Sequence, residues 1–162
     1  MWQVMFPAVV QKHYVTYVLN LVDKRYYFLT SMAGFTFQNQ SGRFSEFEQL
    51  GIRLMKEASS FIIRMYKAKR LSSPYDFSTF GWTTPMVPTQ PDGSSCGVFT
   101  MIFCDEWKGE AVQMKSFAGW NMPRLASKKK ENEQLNIVNK LRMKLCLDIV
   151  LHDSNPQETT DS

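Results

Sequence analysis

The residues of this chain that could do covalent chemistry gather around one cysteine. In VPTQPDGSSCGVFTMIF, Val87 to Phe103, a turn-forming Pro-Asp-Gly-Ser-Ser segment delivers Cys96 into an apolar run, and Gln90 stands six positions ahead of it. A cysteine nucleophile needs four things: a thiolate, a histidine to hold the thiol proton, a group to orient that histidine, and donors for the oxyanion that develops on the attacked carbonyl. A helix starting at Cys96 meets the first need, because the unpaired amides and the dipole of a helix N-terminus favour the thiolate. Gly97 would let a substrate backbone come close. The Gln90 amide could point at an oxyanion beside the sulfur, with the intervening turn folding it back. Only His13 and His152 can serve as the base. His152 lies by the polar C-terminal tail, whereas His13 opens a strongly patterned strand, a rigid place for an imidazole, so His13 is the choice.

Each of these residues also has an ordinary explanation. Free cysteine is among the most buried residue types, and Cys104 and Cys146 are assigned to that structural class. A histidine before a strand is by default a surface residue, and a loop glutamine by default bonds nearby backbone. Three scattered cysteines and two distant histidines show no ligand spacing for zinc.

The elements that must position these groups can be read from periodicity. His13 to Val22 reads as a strand with Val15, Tyr17, Leu19 and Leu21 on one face. Its other face is also fairly apolar, so the strand is expected to be central and covered on both sides. Asp23-Lys24-Arg25 makes a turn, and Tyr26 to Met32 is the returning strand of a hairpin. Phe44 to about Lys69 is the clearest helix, with Phe44, Phe47, Leu50, Leu54, Ala58, Phe61, Ile62 and Met65 as its apolar stripe. A short strand near Trp82 to Val87 is placed at an edge, or ended early, by its prolines. The run from Cys96 suits a buried helix ending near Lys108-Gly109. Ser127 could cap a final helix with Ile137, Val138, Leu141, Leu145 and Ile149 along its buried side, before a polar, frayed tail.

The chain has 162 residues, 44% hydrophobic and 14% aromatic, which fits one domain with a real core. Three cysteines cannot all pair, so a disulfide scaffold is excluded and an intracellular setting is expected. The opening MWQVMFPAVV lacks the basic flank and cleavage site of a leader. No apolar run is long enough to span a bilayer. Asn39-Gln40-Ser41 is taken as a chance glycosylation pattern. The net charge of +4 favours an acidic partner only weakly, and Lys128 to Lys130, the densest basic group, reads as a solvated loop or first helical turn.

Taken in order, these residues resemble a known family, the ubiquitin-like protein proteases that process and remove SUMO-type modifiers. VMFPAVVQKHYVTYVLNLVDKRYYFL is similar to the family's apolar stretch with a proline, its His followed by an aromatic, and its strand, turn and strand. VPTQPDGSSCGVFTMIF resembles its Gln, turn, Cys-Gly and buried helix, and NKLRMKLCLDIVLHDSN its closing helix. The likeness runs from about Val4 to Asn155. It implies an α+β fold, a papain-like core in which a central mixed β-sheet is packed by helices and a Cys on a helix N-terminus faces a His on a strand. It implies a catalytic domain over residues 1–155 with a disordered tail at 156–162, His13 as base, Cys96 as nucleophile, Gln90 as oxyanion donor, and Tyr14 in the place of the aromatic that follows the His. It implies no metal or organic cofactor, a ubiquitin-like modifier of SUMO type or its conjugates as partner, no membrane, and nuclear residence.

Three departures stand out. Thr30, followed by Ser31, stands where the family usually has an Asp-Ser pair. Threonine can accept an imidazole hydrogen bond but cannot stabilise an imidazolium by charge, unless a water or Asn20 substitutes. Asp23 falls in the turn at the far end of the strand. Ser95 stands where an Asp often precedes the Cys. The chain begins almost at the catalytic strand, so the resemblance implies an N-terminally short member. The expected activity is therefore thiol peptide or isopeptide hydrolysis after a modifier's C-terminal glycine. The alternative is a relic domain that binds a modifier or other protein without cutting it. A basic nucleic-acid-associated protein is a third reading, with only the pI and Lys128 to Lys130 behind it.

Overall fold

The computed structural model describes residues 2–32, 45–109, 132–133 and 135–144. Its elements are β1 (Gln3–Val10), β2 (His13–Asn20), β3 (Arg25–Leu29), α1 (Glu46–Ala68), β4 (Gly81–Thr83) and α2 (Cys96–Glu106). Residues 135–144 form a further helical stretch, α3. The sheet order is β1-β2-β3-β4. The first three strands pair antiparallel and β4 joins β3 in parallel, so the sheet is mixed and the class is α+β.

Strand β2 is buried along almost its whole length: Val15 to Asn20 expose no more than 1% of their surface. The alternation of a strand sends its residues to two different cores. Val15, Tyr17 and Leu19 join Tyr26 and Phe28 of β3 and pack against Phe47 and Met55 of α1. Val18 joins Tyr27 and Leu29 and packs against Phe99 and Phe103 of α2, Trp107 and Val138 of α3. The expectation of a central strand covered on both sides is borne out, as are the hairpin and the edge position of the third expected strand. Truncating a fully buried aromatic such as Phe28 to alanine costs about 3–5 kcal/mol in such a core.

Helix α1 starts behind a capping box. The Ser45 hydroxyl accepts from the Glu48 amide at 3.3 Å while the Glu48 carboxylate accepts from the Ser45 amide at 2.7 Å. Its buried ridge is Phe47, Gly51, Met55 and Ser59, at spacing four. The expected stripe needs one correction: Phe61 and Met65 are 56% and 47% exposed. At 100° per residue Phe61 lies roughly 120° round the helix from Met55, off the face that meets the sheet. Together with Trp2, Val4 and Leu71 these two side chains line an open apolar groove of about 950 Å³. On α3, Val138 is fully buried and Leu141 packs beside it, but Ile137 is 42% exposed. Phe44, Asn39, Ser127, Lys128 to Lys130, Leu145, Cys146, Ile149, His152 and the tail lie outside the described residues. No described helix is long and apolar enough to cross a membrane.

Strand β1 is an element that the sequence did not announce. It pairs with β2 from Gln3↔Asn20 to Val10↔His13, leaving Gln11 and Lys12 as a two-residue turn. Both have positive φ, 50° and 64°. Tight hairpins demand this conformation and usually use Asn-Gly for it. Pro7 is tolerated because β1 is an edge strand, one side of which needs no ladder bond.

Left-handed backbone is costly for residues with a Cβ. The double substitution Gln11→Asn with Lys12→Gly should therefore raise the unfolding midpoint in urea at unchanged slope, by about 1 kcal/mol. An unchanged or lower midpoint would show that the turn carries no removable strain.

Candidate active site

The same two-residue turn delivers His13 as the first residue of β2, with a side chain only partly buried. Across the sheet, β3 ends at Leu29 and the chain leaves it through Thr30 and Ser31, both buried. The His13 Nε2 lies 3.1 Å from Thr30 Oγ1. Thr30 Oγ1 also accepts the Met32 amide at 3.2 Å, which fixes the hydroxyl in place. When Nε2 carries a proton it donates to Thr30, and Nδ1 is left as the ring nitrogen that can exchange one with another group.

The next residue serves the other half of the site. The Ser31 hydroxyl donates to Gln90 Oε1 at 2.6 Å, and the Ser31 carbonyl accepts from the Gln90 amide at 2.9 Å. Holding the side-chain oxygen turns the Gln90 amino group the opposite way, where it donates to the Asp92 carbonyl at 2.5 Å. One of its two protons remains for an acceptor outside this loop. Ser31 thus orients Gln90, a role for which the sequence offered only adjacency to Thr30.

Cys96 is the first residue of α2 and is buried, with 7% of its surface exposed. Helical bonding begins with the Phe99 amide on the Ser95 carbonyl, so the Cys96, Gly97 and Val98 amides lie ahead of the ladder. Strand β2 and helix α2 meet at their N-terminal ends. A Cβ placed on Gly97 would sit 3.7–3.9 Å from three carbons of the Tyr14 ring. The residues immediately after Cys96 and His13 are therefore neighbours, with room for about one methyl group between Gly97 and the Tyr14 ring. Asn20, by contrast, lies at the opposite end of β2, where its side chain accepts the Val22 and Asp23 amides. Asp23 in turn accepts from Tyr27 at 2.8 Å. Both are turn residues, and Thr30 is the group that reaches the imidazole.

Cys104 has a different setting. It lies in the last turn of α2, beside Thr16 of β2, and burial pushes its thiol above the ordinary range. Asp92, in the loop before Cys96, stays ionised more readily than usual. Burial opposes its charge, but hydrogen bonds from Ser95 and Ser94 and the Arg142 guanidinium outweigh that. Neither Asp92 nor Arg142 was among the residues expected at the site.

Comparison with known proteins locates this arrangement. Residues 3–141 match the model of the Ulp1 protease family, C-terminal catalytic domain. No curated protein matches. Among solved structures, the SUMO protease Ulp1 with its catalytic cysteine oxidised to a sulfenic acid is 13% identical, with a TM-score of 0.44, over 90% of this chain and 54% of its own. The C-terminal Ulp1 protease domain in complex with Smt3, the yeast ortholog of SUMO, is 12% identical, with a TM-score of 0.40, over 70% of this chain and 46% of its own. The chain spans about half the length of the solved structures it matches.

Burial lowers the pKa of His13 below 6.5, its ordinary value. The folded chain then binds fewer protons than the unfolded one, so this group's contribution is intact above pH 6.5 and is lost as pH falls through the folded value. The expected result is a His13 ring titration, read by NMR, with its midpoint below 6.5, and a mild-acid loss of stability that His13→Gln removes. Thr30→Asp should move the midpoint above 6.5, because a carboxylate 3 Å away favours the imidazolium. An unmoved midpoint would mean that position 30 does not face the ring in solution.

Proposed function

The chain belongs to the Ulp1 protease family, and on that premise we propose that it is a cysteine-type peptidase or isopeptidase acting after the C-terminal glycine of a SUMO-type modifier. The observation that carries the proposal is the pairing of His13 Nε2 with Thr30 at 3.1 Å on one side of the neighbouring Tyr14 and Gly97 and Cys96 on the other. The Cys96 sulfur attacks the carbonyl carbon of the modifier's last residue, and its proton passes to His13 Nδ1. The oxyanion is held by the Cys96 amide and by the free Gln90 N–H, which swings in from a side chain already oriented by Ser31. His13 gives its proton to the leaving amine, and the C–N bond breaks. Water then attacks the thioester with His13 as base, releasing the modifier and restoring the thiol. Nuclear residence goes with such a substrate.

Thr30 sets the limit on this chemistry. The imidazolium formed in the first step is oriented by a hydroxyl but is not countered by a charge, and burial already disfavours it. That same feature favours the second reading, a domain that holds a modifier without cleaving it.

A SUMO-type modifier carrying a C-terminal electrophile should label Cys96 and fail to label Cys96→Ala. Hydrolysis of a modifier–fluorophore amide should be slow, fall about 10²-fold in Gln90→Ala, and rise at least tenfold in Thr30→Asp. Retention of the modifier on the immobilised chain with no labelling and no turnover would replace the peptidase by the binding module.

A further inference from the structure

Arg142 reaches the candidate site from α3, 47 residues beyond the loop that it touches. One guanidinium nitrogen donates to Ser95 Oγ at 2.9 Å and to Ser94 Oγ at 3.1 Å and lies 3.6 Å from Asp92 Oδ2. The Ser95 hydroxyl in turn donates to Asp92 Oδ1 at 2.6 Å. Its proton and an acceptor lone pair are thus both committed to this network. Arg142 also donates to Asn139 one turn back on its own helix, at 3.3 Å.

The consequence lies in what Ser95 does not do. It occupies the N-cap position of α2, the place where serine ordinarily accepts a first-turn amide. Here it makes no side-chain cap bond, and its backbone is helical (φ −89°, ψ 0°) rather than extended as a capping residue's is. Ser95 is fully buried, so its hydroxyl has no bulk water to turn to. Without Asp92 and Arg142, the remaining partners for that hydroxyl are the first-turn amides of Gly97 and Val98, next to the Cys96 amide on which the oxyanion would rest.

We infer that Arg142, acting with Asp92, is a positioning residue that keeps Ser95 from capping α2 and so leaves the amides next to Cys96 open. The inference rests on the reading of Cys96 as the reactive residue but not on any modifier being cut. Coulomb attraction in a partly exposed ion pair at 3.6 Å is weak. The geometry of the fork does the work: a single group bridges Asp92, Ser94 and Ser95 while tied to another helix.

The test is the rate at which iodoacetamide alkylates Cys96 at pH 7, read by peptide mass spectrometry, with Cys104 as the control thiol. Arg142→Gln should slow Cys96 about fivefold, the size of a cap bond of roughly 1 kcal/mol, and leave Cys104 unchanged. Adding Ser95→Ala to Arg142→Gln should restore Cys96 to within about twofold of Ser95→Ala alone, because alanine cannot cap. Asp92→Asn, with and without Ser95→Ala, repeats the comparison if the arginine variant does not fold. A merely structural clamp predicts the reverse, a double variant at least as slow as Arg142→Gln. That outcome, or parallel slowing of Cys104, overturns the inference. A wild-type Cys96 no faster than Cys104 overturns both this inference and the peptidase reading. A chain that shows the rescue yet cleaves nothing keeps the inference and loses only the peptidase.

Discussion

Burial of β2 on both faces is the constraint from which the rest of the molecule hangs. A strand with Val15 to Asn20 fully enclosed cannot shift register by one residue without exchanging its two cores. The hydroxyls and amides that share those cores are therefore placed as rigidly as the aromatics. That is why His13, only partly buried itself, has a defined position, and why the first turn of α2 meets Tyr14 rather than sliding along the sheet. The α1 core fixes the strand from one side and the α2 core fixes it from the other, and the candidate site sits at the end where both begin.

How far this was legible depends on the range over which each signal acts. The hairpin, α1 and α2 are written in local periodicity, and the cysteine–glutamine loop is written in turn residues. Strand β1 escaped because its connection uses Gln11-Lys12 instead of a glycine-bearing pair and because Pro7 argues against a strand. Phe61 and Met65 share the spacing of a buried stripe but lie off its axis, a distinction of angle that only the width of the sheet decides. Ser31, Asp92 and Arg142 were out of reach for a different reason. Hydroxyls and charges carry no periodicity, and the contact of Arg142 with Ser95 spans 47 residues.

Two of the three departures from the family pattern have distinct physical meanings here. At position 30, where the resemblance leads one to expect a charge, a hydroxyl dipole meets the imidazole. At position 95 the residue before the cysteine is neutral, but a carboxylate three residues earlier, at Asp92, reaches its hydroxyl at 2.6 Å. The first orients the imidazole without a charge, whereas the second keeps an anion within the loop and gives it a guanidinium partner.

The apolar groove beside α1 has a consequence for how this chain could be controlled. Its walls, Phe61, Met65, Trp2 and Leu71 among them, belong to the α1 side of the sheet, while Cys96 opens onto the α2 side. A ligand seated in the groove would leave the thiol uncovered and could reach it only by straining the strand layer between them. The two faces are thus separated by the sheet, and crosstalk between them would travel through β2, whose close packing on both sides is what would transmit strain.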